Sequence, residues 1–214
     1  MRTNVYIDAS NLFYGGMKSL GWRVDYEKLL EYFKEKYSVS RVFFFGGVEI
    51  HNFPFDYLED GSVSVSSLEK YFSDLIKERG GVEVGVDLDI INRYLKRIRF
   101  YLKLEHFGYT LVLKPVKTFF GADGLPVRKA NCDVDMAFYM ISDHDMFDRV
   151  LVLSGDGDFL PALKFLRENG KDVLILARGS RTAREIRKFA AGNFRDFDYL
   201  RTHLEFQEKA EPLG

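Results

Sequence analysis

Two aspartates separated by one glycine follow an apolar run in the second half of the chain. Asp156 and Asp158 come after VLVLS (150–154), whose composition is typical of a buried strand. Carboxylates at the end of such a strand repel each other and lose hydration, so they need a helix cap, a cation or another compensating charge. A second apolar segment, VYID, ends in Asp8. The sequence therefore predicts acids at the carboxyl ends of two strands.

These acids are expected to lie close together in space. In open parallel sheets, ligands bind beyond the carboxyl ends of neighbouring strands. A third segment, 128–147, is predicted to begin as a loop and to become helical, with two more acids near the helix start. Like-charge repulsion makes such a cluster unstable unless a cation occupies it or some carboxyls are protonated. The predicted cluster consists of Asp8, Asp133, Asp156 and Asp158, with Asp135 as an additional member.

A cluster of carboxylates favours Mg²⁺ or Mn²⁺, because these hard cations prefer oxygen ligands. The four histidines, at positions 51, 106, 144 and 203, lack ligand spacing, and a single cysteine excludes a cysteine-rich zinc site. A magnesium or manganese centre can activate water and stabilise charge on a phosphodiester. The predicted chemistry is metal-dependent phosphodiester hydrolysis.

Each acid also has a simpler structural explanation. Asp158 could cap the helix that follows it, and Asp156 could be a turn residue between two glycines. Asp8 could form an N-cap or an Asx-turn, and Asp133 and Asp135 could be favourable charges in a first helical turn. These roles can coexist with metal ligation. They explain the acids singly and leave their convergence unexplained.

Other phosphate and nucleophile motifs do not fit. The Walker pattern G-x-x-x-x-G-K-[ST] does not occur, and GDGDFLP has acids where a dinucleotide pyrophosphate would approach. Cys132 has no obvious histidine base, so a small buried residue is the favoured interpretation.

Short apolar runs alternate with helical segments, as expected for a parallel α/β sheet. The segment 51–67, with its proline, glycine and serines, is predicted to be a loop. We expect a single domain over 1–200 with a less regular helical middle region, 48–108, and a C-terminal tail, 201–214. The predicted strands are 4–8, 41–47, 109–119, 149–154 and 172–177, and the predicted helices are 24–37, 67–80, 89–108 and 158–170.

The composition limits the class of protein. With 214 residues, 46% of them hydrophobic, the chain can bury a sizeable core. A net charge of -1 gives no global field that would mark a nucleic-acid or membrane binder, so any such surface must be local. The single cysteine fits a reducing compartment, and no apolar run approaches the length of a membrane span. We expect a soluble, cytoplasmic protein.

Three ordered motifs carry a family resemblance: IDASNLF (7–13), KANCDVD (129–135) and LVLSGDGDFLPALKFLRENGKDVLILA (151–177). Together they resemble the NYN domain family, the LabA-like branch of the PIN-like nuclease superfamily. The resemblance implies an α/β, PIN-like three-layer sandwich with a central, mostly parallel sheet flanked by helices. It also implies an acidic Mg²⁺ or Mn²⁺ centre and RNA as the usual substrate.

Applied to this sequence, the resemblance implies a role for each matching residue. Asp8 is a metal ligand and Asn11 orients the site. Asp133 matches the acid of the second motif, and Asp156 and Asp158 match the third. Related sequences often have a further acid later on the second-motif helix, where this chain has Tyr139.

Basic residues near the predicted acidic edge are candidates for phosphate contacts. In 178–188, three of them recur at helical spacing and would share a face, although a solvated helix face is an equal alternative. In 93–103, aromatic residues are interleaved with basic ones and could stack on unpaired bases, but the favoured interpretation packs the aromatic side into the core. Phe13 and Tyr14 have the same two interpretations, with burial favoured. The candidate RNA-binding residues are Lys129, Arg178, Arg181, Arg184 and Lys188.

The leading hypothesis is a Mg²⁺- or Mn²⁺-dependent ribonuclease that cuts within single-stranded or structured RNA. The rival is a non-catalytic RNA-binding or protein-interaction module, which Tyr139 supports. A phosphatase acting on small esters is disfavoured because IDASN lacks a second acid two residues after Asp8. We expect no membrane partner. The sequence leaves open whether the protein forms a homo-oligomer.

Overall fold

A computed structural model of the protein describes residues 1–11, 21–78, 88–120 and 124–207. The chain forms two compact units, one made of 1–42 with 136–214 and the other of 43–135. Among the described residues, no helix combines the length and the apolar character that a membrane crossing requires.

The described residues contain strands and helices in alternation. The strands are β1 (Thr3–Asp8), β2 (Val39–Val48), β3 (Thr110–Pro115), β4 (Lys117–Phe120), β5 (Pro126–Lys129), β6 (Arg149–Leu153), β7 (Asp172–Ala177) and β8 (Phe194–Asp196). The helices are α1 (Tyr26–Tyr37), α2 (Val65–Glu78), α3 (Leu88–Phe107), α4 (Asp133–Ser142), α5 (Leu160–Glu168), α6 (Arg184–Ala190) and α7 (Arg201–Leu204).

The first unit is built on a parallel sheet. β1 pairs with β6, β6 with β7 and β7 with β8, all in parallel. Every residue of β1 is buried, and so are four of the five residues of β6. Their near-continuous apolar sequences are those of strands covered on both faces.

The second unit combines a parallel pair with a short antiparallel ribbon. β2 pairs in parallel with β3 from Phe43 onward, and β4 pairs with β5 in antiparallel. α2 packs against α3, where Phe72 and Tyr94 bring their ring centroids within 5.9 Å. The buried residues Leu68 and Phe72 on α2 are four apart, and the buried Ile91 and Ile98 on α3 are seven apart, so each helix has an apolar face.

The predicted α/β class with a mostly parallel sheet is confirmed, and so are the five predicted strand positions apart from their ends. The predicted strand 109–119 was wrong in one respect, because it is two strands: β3 ends at Pro115, which has no N–H for the ladder, and β4 then pairs with β5. β5 and β8, with four and three residues, were not predicted. The predicted loop 51–67 runs only to residue 64, since α2 begins at Val65.

Candidate functional site

Two neighbouring strands of the first unit end at the same edge of the sheet. β1 and β6 are parallel, with Ile7 opposite Leu153. The next residues along the two strands, Asp8 and Ser154, therefore lie side by side at the carboxyl edge. This confirms the prediction that the strands before Asp8 and before Asp156 are neighbours, which is the arrangement that creates a ligand site in parallel sheets.

Asp8 is a buried carboxylate, 5% exposed, that accepts four hydrogen bonds. Its Oδ1 accepts from the Ser10 N–H at 2.9 Å, the Ser10 hydroxyl at 2.6 Å and the Asn11 N–H at 3.2 Å. Its Oδ2 accepts from the Ser154 hydroxyl at 3.0 Å. These charge-assisted bonds allow a carboxylate to be buried, and the predicted Asx-turn is confirmed.

Ser154 connects the two strand-end acids. Its hydroxyl donates to Asp8 Oδ2 and accepts a hydrogen bond from the Asp156 N–H at 3.2 Å. The residue is 2% exposed, so the bridge lies inside the protein. Neither Ser154 nor Ser10 has a role among the sequence predictions. The role of Ser154 could have been predicted from its position, because it is a hydroxyl residue between a buried strand and an acid.

Asp156 is half-buried and shapes the backbone after β6. Its Oδ1 accepts from the Asp158 N–H at 3.0 Å, so it caps the 3-10 turn Gly157–Phe159 that leads into α5. The alternative that Asp158 is the cap was wrong: its own N–H is the capped group, and α5 begins without a side-chain cap. Asp158 is exposed.

The two glycines of the GDGD turn (155–158) leave room for the segment around Thr182 to approach the turn closely. A Cβ on Gly155 would lie 2.7 Å from Thr182 Oγ1 and 2.9 Å from Thr182 Cα, and one on Gly157 would overlap Glu185 Oε1. The Ala183 N–H donates to the Gly155 carbonyl at 2.9 Å, which fixes this approach. Glu185, the one acid in the basic stretch 178–188, therefore lies beside the GDGD turn, although no prediction included it.

A pocket of about 390 Å³ opens at this edge of the first unit. Asn11 and Asp156 line one part of it, and Arg181 and Thr182 line another. The pocket thus brings two predicted site residues together with one predicted phosphate-binding residue. The lining of the pocket is therefore polar and includes one carboxylate and one guanidinium.

The basic residues of 178–188 do not share one helix face. α6 begins at Arg184, whereas Arg181 ends the separate 3-10 turn Gly179–Arg181. The predicted common face was therefore wrong, because the chain is extended at Thr182 and Ala183. Arg184 and Lys188 are exposed and four residues apart on α6, so these two share a face.

Arg178 is held by a neighbouring acid. Its Nε donates to Asp198 Oδ2 at 3.2 Å, and its carbonyl accepts from the Thr182 hydroxyl at 2.7 Å. A guanidinium that already has a carboxylate partner has less capacity for a phosphate than an unpaired one.

The second unit holds the other predicted acids. Asp133 and Asp135 stand in the first turn of α4, as predicted. Asp135 forms an ion pair with Lys114 at 3.0 Å, and both side chains are about three-quarters buried. Lys129 is exposed on β5. Cys132 is buried, which confirms its predicted character as a small core residue.

The aromatic side of the basic segment 93–103 packs inside the second unit. Tyr101 is fully buried, its hydroxyl donates to the Gly47 carbonyl at 2.8 Å, and burial raises the pKa of its phenol. The packing interpretation is confirmed for this residue. Phe13 and Tyr14 lie outside the described residues.

The carboxylates of the first unit have the chemistry that a hard divalent cation requires. Within the described part of the chain, no Lys, Arg or His forms an ion pair with Asp8, Asp156 or Asp158. The described residues also contain no group of three or more His, Cys, Asp or Glu side chains arranged to hold a metal. The predicted cluster of four carboxylates is therefore not formed among the described residues. Mg²⁺ is commonly held by one or two carboxylates together with waters and substrate phosphate, so Asp8 and Asp156 alone still suit such an ion.

Comparison with known proteins identifies the family. The family model of the NYN domain matches residues 2–198, and the chain belongs to this family. The NYN family is part of the PIN-like nuclease superfamily, whose members generally use divalent metals and act on nucleic acids.

Two relatives cover nearly the whole chain. The low amplitude and bright protein LabA of Synechococcus elongatus (strain ATCC 33912 / PCC 7942 / FACHB-805) is 24% identical over 216 residues, which are 99% of this chain and 92% of LabA. The crystal structure of VPA0982, a protein of unknown function from Vibrio parahaemolyticus RIMD 2210633, matches with a TM-score of 0.58. It is 18% identical and the match covers 95% of each chain, which supports the fold alone.

Proposed function

We propose that the protein is a metal-dependent ribonuclease that cleaves RNA endonucleolytically with Mg²⁺ or Mn²⁺. The observation that carries the proposal is the connection of two strand-end carboxylates, Asp8 and Asp156, through the buried hydroxyl of Ser154. The nuclease superfamily of the NYN domain supports the same reaction class. The single cysteine suits the reducing cytoplasm, where we propose that the protein acts.

Different atoms of the two carboxylates serve structure and chemistry. Asp8 Oδ1 accepts three local hydrogen bonds and its Oδ2 accepts one, so Oδ2 keeps a lone pair for a ligand. Asp156 uses Oδ1 for its cap, and its other oxygen is the proposed ligand. Once bound, the divalent cation would supply Lewis-acid stabilisation of the charge that develops on the phosphate. Asn11 borders the pocket and is proposed to orient the site.

Two further acids stay candidate ligands. Asp158 is exposed beside the cap in the first unit, and Asp133 stands at the start of α4 in the second unit. Asp135 stays an additional candidate whose partner in this structure is Lys114.

The basic candidates would hold the RNA backbone. Arg181 lines the same pocket as Asp156, which makes it the first choice for the scissile phosphate. Arg184 and Lys188 would contact neighbouring phosphates from the exposed face of α6. Lys129 on β5 is a further candidate. Arg178 would have to break its ion pair with Asp198 before its guanidinium could bind a phosphate.

The proposal is tested by incubating single-stranded and structured RNA, and DNA of the same sequences, with wild-type protein and with the double variant Asp8→Asn/Asp156→Asn. Each reaction is run with Mn²⁺ and with chelator. We expect RNA cleavage by the wild type with metal and by neither the double variant nor the chelated enzyme. Asp145→Asn is the matched control, because Asp145 is a highly exposed acid on a different turn. Cleavage at the wild-type rate by Asp156→Asn would rule out the assignment.

A second candidate is a non-catalytic RNA-binding or protein-interaction module that keeps the NYN fold. Tyr139 favours it, because this half-buried aromatic residue stands on α4 where related sequences often have an acid. A ligand that binds the folded state must raise its melting midpoint. The ribonuclease should therefore be stabilised by Mn²⁺ in a manner that Asp8→Asn/Asp156→Asn abolishes, whereas a module without a metal site should show no such shift.

A further inference from the structure

The β4–β5 ribbon of the second unit places two lysines directly opposite each other. In its antiparallel register Lys117 is the partner of Lys129, and both are exposed. Directly opposed side chains in an antiparallel pair have Cβ atoms about 4.5–5.5 Å apart and stand on the same face. Like charges at this distance destabilise the pair.

No acid relieves this repulsion within the described part of the chain. Neither lysine forms an ion pair with a described carboxylate. The nearby 56–60 turn carries three acids, and none of them forms an ion pair with either lysine within the described part of the chain. Asp56 accepts from the Leu58 N–H at 2.8 Å and Asp60 from the Asp56 N–H at 2.8 Å, whereas Glu59 is exposed. The lysine pair is therefore a local positive charge on a chain of net charge -1, and it complements an anion.

Exposed aromatic rings accompany the lysine pair. Phe119 is 54% exposed, and the period of two in a strand puts it on the same face as Lys117. Tyr57 is 56% exposed, and the Lys117 ammonium lies 4.3 Å from the centre of its ring. We call Tyr57, Lys117, Phe119 and Lys129 the basic–aromatic face.

We propose that the basic–aromatic face binds single-stranded nucleic acid. The opposed lysines would contact a backbone phosphate, and an unpaired base would stack on Phe119 or Tyr57. Bases in a duplex are already stacked on their neighbours, whereas single strands offer free ring faces to aromatic side chains. The inference goes beyond the proposed function, because it assigns a nucleic-acid-binding surface to the β4–β5 ribbon and does not depend on cleavage.

The ribbon supplies its own control. Phe120 is adjacent to Phe119 in sequence, is 77% exposed and points to the opposite face of the ribbon. A nonspecific hydrophobic effect would respond to loss of either ring. A stacking site on the basic–aromatic face responds only to loss of Phe119.

The test is fluorescence anisotropy with a labelled oligouridylate, and with the same strand annealed to oligoadenylate, in the presence of chelator so that nothing is cleaved. We expect the wild type to prefer the single strand. Phe119→Ala should weaken its binding by about 5- to 160-fold, the range for loss of one base–aromatic stack. Phe120→Ala should bind like the wild type. Lys117→Ala/Lys129→Ala should reduce the slope of log affinity against log salt by about 0.7, the value for one lost phosphate contact on a single strand.

All of these side chains are exposed, so unchanged melting midpoints should show that the variants fold. Equal losses from Phe119→Ala and Phe120→Ala, a preference for the duplex, or absence of wild-type binding would each overturn the proposal. Binding by the wild type without any metal-dependent cleavage would support the basic–aromatic face and would reject the ribonuclease. The two proposals can therefore fail separately.

Discussion

Replacing Ser154 by alanine removes one buried oxygen atom and two hydrogen bonds. The hydroxyl donates to Asp8 Oδ2 at 3.0 Å and accepts from the Asp156 N–H at 3.2 Å. The change creates almost no cavity, because alanine keeps the Cβ. Its effect therefore reports on the polar link between the two strand ends.

The magnitude follows from the two bonds. A hydrogen bond to a charged group contributes about 1.5–3 kcal/mol and a neutral one about 0.5–1.5 kcal/mol, so Ser154→Ala should cost about 2–4.5 kcal/mol. For a protein of this size, 1 kcal/mol corresponds to about 2–4 °C, which gives a fall in melting midpoint of about 4–18 °C. Thermal unfolding followed by circular dichroism measures it.

A double-mutant cycle with Asp8→Ala isolates the bond between the two side chains. Once Asp8 has lost its carboxylate, Ser154→Ala should cost less, with a coupling of about 0.5–3 kcal/mol. Effects that add to within about 0.5 kcal/mol would refute the reasoning, because residues without an interaction behave in this additive way. An unchanged midpoint for Ser154→Ala alone would refute it as well.

Two further predictions concern stability. The pKa of Asp148 lies below its ordinary value because the side chain and backbone of Arg2 donate hydrogen bonds to it. The stabilisation that these hydrogen bonds give to the folded state is present above the ordinary pKa of an aspartate and is lost as the pH falls through the lowered pKa of Asp148. Asp148→Asn should therefore lower the melting midpoint at neutral pH, and the difference from the wild type should shrink below about pH 4. A difference that stays constant with pH would contradict this explanation. A Cβ on Gly47 would lie 2.6 Å from Ala130 Cβ, so Gly47→Ala should cost about 1–3 kcal/mol in urea unfolding. Gly61, which has nothing within 4 Å, is the control, and an equal effect of Gly61→Ala would contradict the steric explanation.

The long strands and the placement of the first acids could be predicted because both follow from local patterns. An apolar run such as VLVLS predicts a strand that is buried on both faces of a sheet, and neighbouring parallel strands have their carboxyl ends at the same edge. Asp8 beside the end of β6 is the direct result. The short strands β5 and β8 could not be predicted, since three or four residues without a clear apolar period depend on a partner strand for their conformation.

The close approach of the basic segment 178–188 to the GDGD turn could not be predicted from the sequence pattern either. The spacing of Arg181, Arg184 and Lys188 is helical, but contacts at Gly155 hold the chain extended before α6 begins. Tertiary packing thus overrides the periodicity at this position. The same contacts bring Glu185 to the turn, which a count of basic residues could not reveal.

The structural and functional interpretations of the strand-end aspartates do not exclude each other, because they concern different oxygen atoms. Asp156 caps a turn through Oδ1, and Asp8 gathers three local donors on Oδ1. These bonds fix the orientation of each carboxylate, so that the second oxygen has a defined position. The Ser154 hydroxyl then sets the two side chains relative to each other. A cation bound through the second oxygens would gain from this preorganisation, which is why local capping is a condition for the proposed site and not an argument against it.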